Sequence, residues 1–186
     1  MINVLGISGS LRIDSYNTAL LRTLQHFMPE NSVLEIEKLN EIPLYNGDIE
    51  VSEGIPEPVN ELKERIISFD GLLLATPEYN SSIPGVLKNA IDWLSRPPKD
   101  MVRVFGNRPV GIIGASTGSF GTILSQTAWL PILRALGVHP FFGRSLYVSR
   151  AAEIFDGSGK LTDDHAIERA QRYVSNFVEF IRKTKQ

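Results

Sequence analysis

Apolar runs alternate along this chain with segments whose apolar positions fall three and four residues apart. Residues 4–7, entered at Ile2, are apolar and branched, as expected of a strand buried on both faces. Residues 17–27 place Leu20, Leu21, Leu24 and Phe27 at helical spacing, and Pro29 closes the segment. Residues 33–39 alternate Val33, Leu34 and Ile36 with polar positions and predict a second strand. Residues 42–58, with three prolines and two glycines, form a long connection. Residues 59–67 repeat Val59, Leu62, Ile66 and Ile67 and predict a helix; residues 71–76 predict a third buried strand. The next helix has Leu87, Ala90, Ile91 and Leu94 as its buried stripe, Ser82 as its expected cap and Pro84 in its first turn. Residues 109–115 predict the fourth strand. Residues 123–136 predict a helix interrupted near Pro131 and ended by Gly137. The fifth strand lies within residues 138–148. Thr162 is expected to cap the last helix, with Asp163 and Asp164 in its first turn complementing the helix dipole. Its core stripe is Ile167, Ala170, Val174, Phe177, Phe180 and Ile181.

Buried strands alternating with helices predict an α/β fold, a parallel sheet covered on both faces. Five such units in 186 residues fit a flavodoxin-like three-layer sandwich, a five-stranded sheet in order 2-1-3-4-5, better than a six-stranded dinucleotide fold. No repeat or linker divides the chain, so residues 1–186 are expected to form one domain. Composition narrows the functional classes. The net charge is -2, from 19 basic and 21 acidic residues, and no basic stripe suggests a nucleic-acid partner. Without cysteine there is no disulfide, thiolate metal site or cysteine nucleophile. His26, His139 and His165 are scattered, so no metal site is expected. Neither a signal peptide nor a membrane span is recognisable, and a cytoplasmic setting is expected.

In an open parallel sheet, ligands bind beyond the carboxyl ends of the strands where the strand order reverses. That directs attention to the loops after Ile7, Ala75 and Ala115. The first, residues 8–17, runs into a helix N-terminus, where free amides and the dipole favour an anion. Ser10, Ser15 and Asn17 add neutral donors, and Arg12 adds a guanidinium able to grip phosphate with two bonds. No Gly-Lys-Ser/Thr and no Gly-x-Gly-x-x-Gly follows, so a single terminal phosphate fits better than a triphosphate or a pyrophosphate. A plain helix cap at Ser15 and Asn17 is the competing reading. In the second loop, Pro77 stiffens the backbone. The amides of Glu78 to Asn80 face the crevice in this reading, and Tyr79 packs against a planar ring; the alternative is a proline-stiffened turn. The third loop, residues 114–122, is built of small residues that let a ligand approach the backbone.

Gly114, Ser116 and Gly118 also satisfy G-x-S-x-G, the nucleophile-elbow pattern of serine hydrolases. A triad would then need Asp156 or Asp163 with His165, which falls in the first turn of the last helix. Trp93, Trp129 and Lys88 are ordinary helix residues in this reading. Tyr45 sits in the long connection, which is either a plain surface loop or a contact surface reaching a site.

Taken together, these loops resemble those of the NADPH-dependent FMN reductase family, over nearly the whole chain. The resemblance is most specific in Gly9-Ser10-Leu11-Arg12 with Ser15 and Asn17, and in residues 77–93, PEYNSSIPGVLKNAIDW. Residues 42–46 and 114–116 also match family positions. It implies that Ser10, Arg12, Ser15 and Asn17 bind the FMN phosphate, with Leu11 beside them at the cofactor. Pro77, Glu78, Tyr79 and Asn80 would line the isoalloxazine, with Ser116, Thr117 and Gly118 beside the flavin or ribityl chain. It further implies an oxidoreductase that passes hydride from NADPH or NADH through FMN to a small acceptor, such as a flavin, quinone, azo compound or metal oxyanion. No side chain need act as acid or base, so no catalytic residue is named. A homo-oligomer, dimer or tetramer, is expected. A flavodoxin-type electron carrier is the alternative. Similar proteins often follow the third loop with Gly-Gly-x-Arg-Ala-Gln and a later Leu-Arg; here residues 121–131 read GTILSQTAWLP, with leucine at both arginine positions. That departure bears on assembly and on anionic acceptors, not on FMN.

Overall fold

The computed structural model describes residues 1–185. At its centre the apolar runs form a parallel sheet: β1 (Ile2–Ser8), β2 (Ser32–Glu37), β3 (Gly71–Ala75) and β4 (Pro109–Ala115). The order is β2-β1-β3-β4, and the fifth position is shared by two short strands, β5 (His139–Pro140) and β6 (Leu146–Val148). The expected 2-1-3-4-5 order is borne out, while the strand count rises from five to six. Between β5 and β6 the chain leaves the ladder. Phe141 there buries its ring 5.4 Å from that of Tyr173 and 5.5 Å from that of Phe177, and Leu146 resumes pairing opposite Ile113.

Alternate β1 residues serve opposite faces. Val4 packs with Leu20, Leu24 and Phe177, whereas Leu5 and Ile7 pack with Val59, Ile66 and Trp93. One face is therefore covered by α1 (Tyr16–His26) and α9 (Asp164–Thr184). The other carries α3 (Glu57–Ser68), α4 (Gly85–Leu94), α5 (Pro98–Phe105) and α7 (Leu130–Leu136). This is the three-layer arrangement that buried parallel strands require.

The predicted helix over 123–136 is two helices, α6 (Ile123–Ala128) and α7, joined at the buried Trp129; Gly137, at φ 67°, ends α7 as expected. Three short helices escaped the sequence reading: α2 (Gly47–Glu53), α5 and α8 (Ala151–Ile154). Two expected caps are corrected. Ser82 pairs its backbone with Tyr79 instead, and Pro84 precedes α4 with no side-chain cap. The cap of α9 is Asp163, which accepts from the Ala166 amide at 2.8 Å, while the Thr162 hydroxyl donates to the Ile154 carbonyl.

The long connection is pinned rather than loose. Asn89 and the Trp93 indole both donate to the Pro43 carbonyl, at 2.8 and 2.9 Å. Arg96 Nε and the Tyr45 hydroxyl donate to Glu50 Oε2 at 3.0 and 2.9 Å. The bond from Arg96, and then that from Tyr45, hold the Glu50 carboxyl below its usual range against the opposing effect of burial. A depressed carboxylate pKa contributes anchoring that is complete above the unfolded value, about 4.3, and is lost as pH falls through the folded value. Amide protection factors in α2 are thus expected to be constant from pH 7 to about pH 5 and to fall below about pH 4. In Glu50→Gln they should be lower and flat. A pH-independent profile in the native chain would refute the anchoring.

Candidate functional site

Three strand ends converge because β3 lies between β1 and β4, and each feeds a loop over the same edge. After β1, Gly9 fits against the second loop. A Cβ at Gly9 would meet Pro77 Cδ at 2.9 Å and the Ala75 carbonyl at 3.0 Å, so the approach needs glycine. The first loop then climbs to Ser15, whose hydroxyl caps α1 by accepting from the Thr18 amide. By helix geometry the next amides, of Tyr16 and Asn17, have no intrahelical partner. Asn17 is buried, and its side chain spans the cleft: Nδ2 donates to the Ala115 carbonyl and Oδ1 accepts from the Ala115 amide, both at 3.0 Å. It therefore staples the first loop to the third.

The second loop is a tight turn. The amides of Tyr79 and Ser82 bond each other's carbonyls, and Asn80 and Ser81 both have positive φ, 50° and 59°, the pattern of a two-residue hairpin turn. The Tyr79 amide is thus spent inside the turn instead of facing the crevice. The Glu78 carboxylate accepts from the Ser125 amide at 2.9 Å, which caps α6 from outside. Beneath it, Thr76 accepts from the Trp129 indole at 3.0 Å and shares a hydrogen bond with the Ser125 hydroxyl. Trp129 therefore has a polar duty beyond packing.

The resulting cleft, about 240 Å³, is lined by Ser10, Arg12, Ser15, Tyr16, Asn17, Pro77, Glu78, Tyr79, Ala115, Ser116 and Thr117. Nine of the twelve residues expected at the site meet there. Leu11 points to solvent at 43% exposure, Asn80 belongs to the turn, and Gly118 turns its carbonyl to the Arg150 amide. Tyr16 and Ala115 were not anticipated. The signal for Tyr16 was its place immediately after the cap; Ala115 is recruited by Asn17, a contact across 98 residues that no local pattern encodes.

The donor set suits a single phosphate attached to a flat, partly apolar group. Arg12 is the one cation among the lining residues and forms no ion pair within the described residues. The one lining carboxylate, Glu78, is already committed to Ser125. Ser15 lies at the N-terminus of α1 and Ser10 in the loop after β1, while Pro77, Tyr16 and Tyr79 supply apolar walls. FMN fits this set. Ser116 is not poised as a nucleophile: its hydroxyl donates to the Gly121 carbonyl at 2.7 Å, and His165 lines a different cavity. Among the described residues no group of histidines and carboxylates is placed to hold a metal, and no helix is long and apolar enough to cross a membrane.

Fold and site together define a flavodoxin-like protein with a mononucleotide cleft at the sheet's switch point. The model of the NADPH-dependent FMN reductase family matches residues 2–153, and the chain belongs to that family. It is 43% identical to an NAD(P)H-dependent FMN reductase of Pseudomonas aeruginosa, over 99% of this chain and 97% of the relative. It is 34% identical to a quinone reductase of Escherichia coli, over 99% and 97%. Among solved structures it is similar to the flavoenzyme NAD(P)H:acceptor oxidoreductase FerB of Paracoccus denitrificans, with a TM-score of 0.86, 35% identity and 99% coverage of both chains.

Proposed function

We propose that this protein is an FMN-dependent NAD(P)H oxidoreductase that reduces small acceptors, with residues 1–186 acting as one domain. The observation that carries the reading is Arg12, without an ion pair among the described residues, beside the N-terminus of α1 in the cleft and facing the apolar walls of the second loop. Bound FMN supplies the two-electron relay between NAD(P)H and the acceptor. The chain's own residues hold it. The Arg12 guanidinium, the Ser10 and Ser15 hydroxyls and the first amides of α1 receive the phosphate. Asn17 contributes its backbone amide, since its side chain is engaged with Ala115. Pro77 and Tyr79 provide the ring's apolar contact.

Relatives named as FMN and quinone reductases support free flavins and quinones as acceptors. The exposed Leu124, on α6 capped by Glu78, and Leu130, on α7 beyond the hinge at Trp129, support a neutral acceptor over an anionic one. With Phe120 and Ile123 they form an apolar surface that supports a homodimer, which sedimentation analysis tests. NAD(P)H is a cytoplasmic reductant, which supports a cytoplasmic setting.

The deciding experiment is Arg12→Ala. Losing a charge-assisted phosphate contact costs about 1.5–3 kcal/mol, so the FMN Kd should rise roughly 10- to 100-fold. The side chain is exposed and unpaired, so the melting temperature of FMN-free protein should stay unchanged. An FMN Kd equal to that of the native chain would reduce the loop to a helix cap. Native protein that neither binds FMN nor oxidises NAD(P)H without a partner protein would overturn the enzyme reading itself.

A further inference from the structure

Away from the cleft, a groove of about 590 Å³ runs between the second half of α1, the turn at 156–160 and the start of α9. That volume lies in the range of small-molecule pockets. Its floor is apolar: Ala19 and Leu161 are buried, and Phe27 and Ile167 form half-buried walls. Two cations stand on its rim. Arg22 lies one helical turn before His26 on α1, and Lys160 faces it from the turn.

Lys160 is delivered to the same groove by a different element from Arg22. That turn is tightly specified. Asp156 Oδ1 accepts from the Ser158 amide, the Ser158 hydroxyl and the Lys160 amide at 2.9, 2.6 and 3.0 Å, and Gly159, at φ 81°, brings the turn against Ala19. The Asp156 carboxylate is thus occupied in presenting Lys160. Among the described residues no carboxylate lines the groove, and neither Arg22 nor Lys160 forms an ion pair. The neutral polar groups at hand are satisfied internally: Thr23 donates to the Ala19 carbonyl and Ser158 to Asp156. The cavity around Arg150, Arg169 and His165 differs, because Glu153 and Asp163 line it and offset its charge.

An apolar trough with positive charge on both banks and no carboxylate in its lining, in a chain whose net charge is -2, is complementary to one ligand class. We propose that this groove is a second binding site, distinct from the nucleotide cleft, for a small amphipathic anion: a carboxylate on a hydrocarbon or aromatic body. The body lies on Ala19, Leu161, Phe27 and Ile167, and the carboxylate meets Arg22 and Lys160. The neutral alcohol of the same body loses the charge contacts and binds more weakly.

The test uses full-length, FMN-saturated protein and decanoate, below its micellar range, as the probe in calorimetric titration. One saturable site is expected, with decanol binding about tenfold more weakly. The double variant Arg22→Glu/Lys160→Glu should weaken decanoate by about tenfold or more. Thr23→Trp, which fills the trough and leaves every charge in place, should abolish binding. Arg22 and Lys160 are exposed and Thr23 is half-buried, so circular dichroism and retained flavin colour report whether each variant folds. The proposal is overturned if decanoate shows no saturable binding, if both variants bind it as the native chain does, or if it competes with FMN in the flavin absorbance. The proposed enzyme activity is scored separately by NAD(P)H oxidation, so either reading can fail alone.

Discussion

Gly114→Ala should give a protein that melts about 6–12 °C lower and holds FMN poorly. Gly114 sits one residue from the end of β4, where the third loop departs. A Cβ built there would lie 2.1 Å from the Thr122 hydroxyl oxygen and 2.3 Å from the Thr76 carbonyl oxygen. The hydroxyl could rotate away, but the carbonyl is backbone at the end of β3, and its strand is buried on both faces. Relief therefore requires β3 and β4 to separate, at the point where the second and third loops form the cleft. Overpacking of a well-filled interior costs about 1–3 kcal/mol, and a backbone contact this short belongs at the upper end. For a chain of this size about 3 kcal/mol corresponds to the stated shift. Gly118→Ala is the control: its Cβ would meet nothing nearer than Ser116 Oγ at 3.7 Å, so it should melt like the native chain. Equal melting temperatures for the two variants would refute the steric account.

That contrast marks what the sequence makes legible. Continuous apolar runs, one alternating segment and period-3.6 patterns located the four main strands and the long helices, because elements that bury whole faces leave such patterns in the sequence. The break between β5 and β6 left none, since the ladder stops after the Phe141 amide, which donates to the Val110 carbonyl, and the Phe141 ring joins an aromatic cluster supplied by α9, which lies later in the chain. Likewise α2 and α5 are too short for a period to register, and α2 rests on a remote ion pair between Glu50 and Arg96. At the site, chemistry-bearing residues were legible by type and by their place after strands. Their partners were not. Glu78 reads as a residue facing a ligand, yet it caps α6; Thr76 and Trp129 read as core, yet they join the second loop to the hinge between α6 and α7. Ser82 and Thr162 each had the right side chain for a cap. Ser82 was taken by a hairpin turn, and Asp163, one residue beyond Thr162, is better placed to reach the Ala166 amide.

Asn17 carries this point into a measurement, because its sequence reading and its geometry predict different phenotypes. As a phosphate donor alone, its loss would weaken FMN and spare the fold, as expected for Arg12→Ala. As the bridge to Ala115, it satisfies a buried amide and a buried carbonyl at the last residue of β4. Asn17→Ala leaves both without a protein partner. Each orphaned group costs about 1–3 kcal/mol, so FMN-free protein should lose roughly 2–6 kcal/mol of stability, read as a lower denaturant midpoint with an unchanged slope. FMN affinity should fall as well, because the first and third loops are no longer held at a fixed separation. Asn17→Asp sharpens the test. The carboxylate still accepts from the Ala115 amide but sets an anion against the Ala115 carbonyl, so it should be no more stable than Asn17→Ala at pH 7 and should recover as pH falls and the acid becomes a donor. A denaturant midpoint for Asn17→Ala equal to that of the native chain would return Asn17 to the role of a ligand contact and leave the coupling of the two loops without a cause.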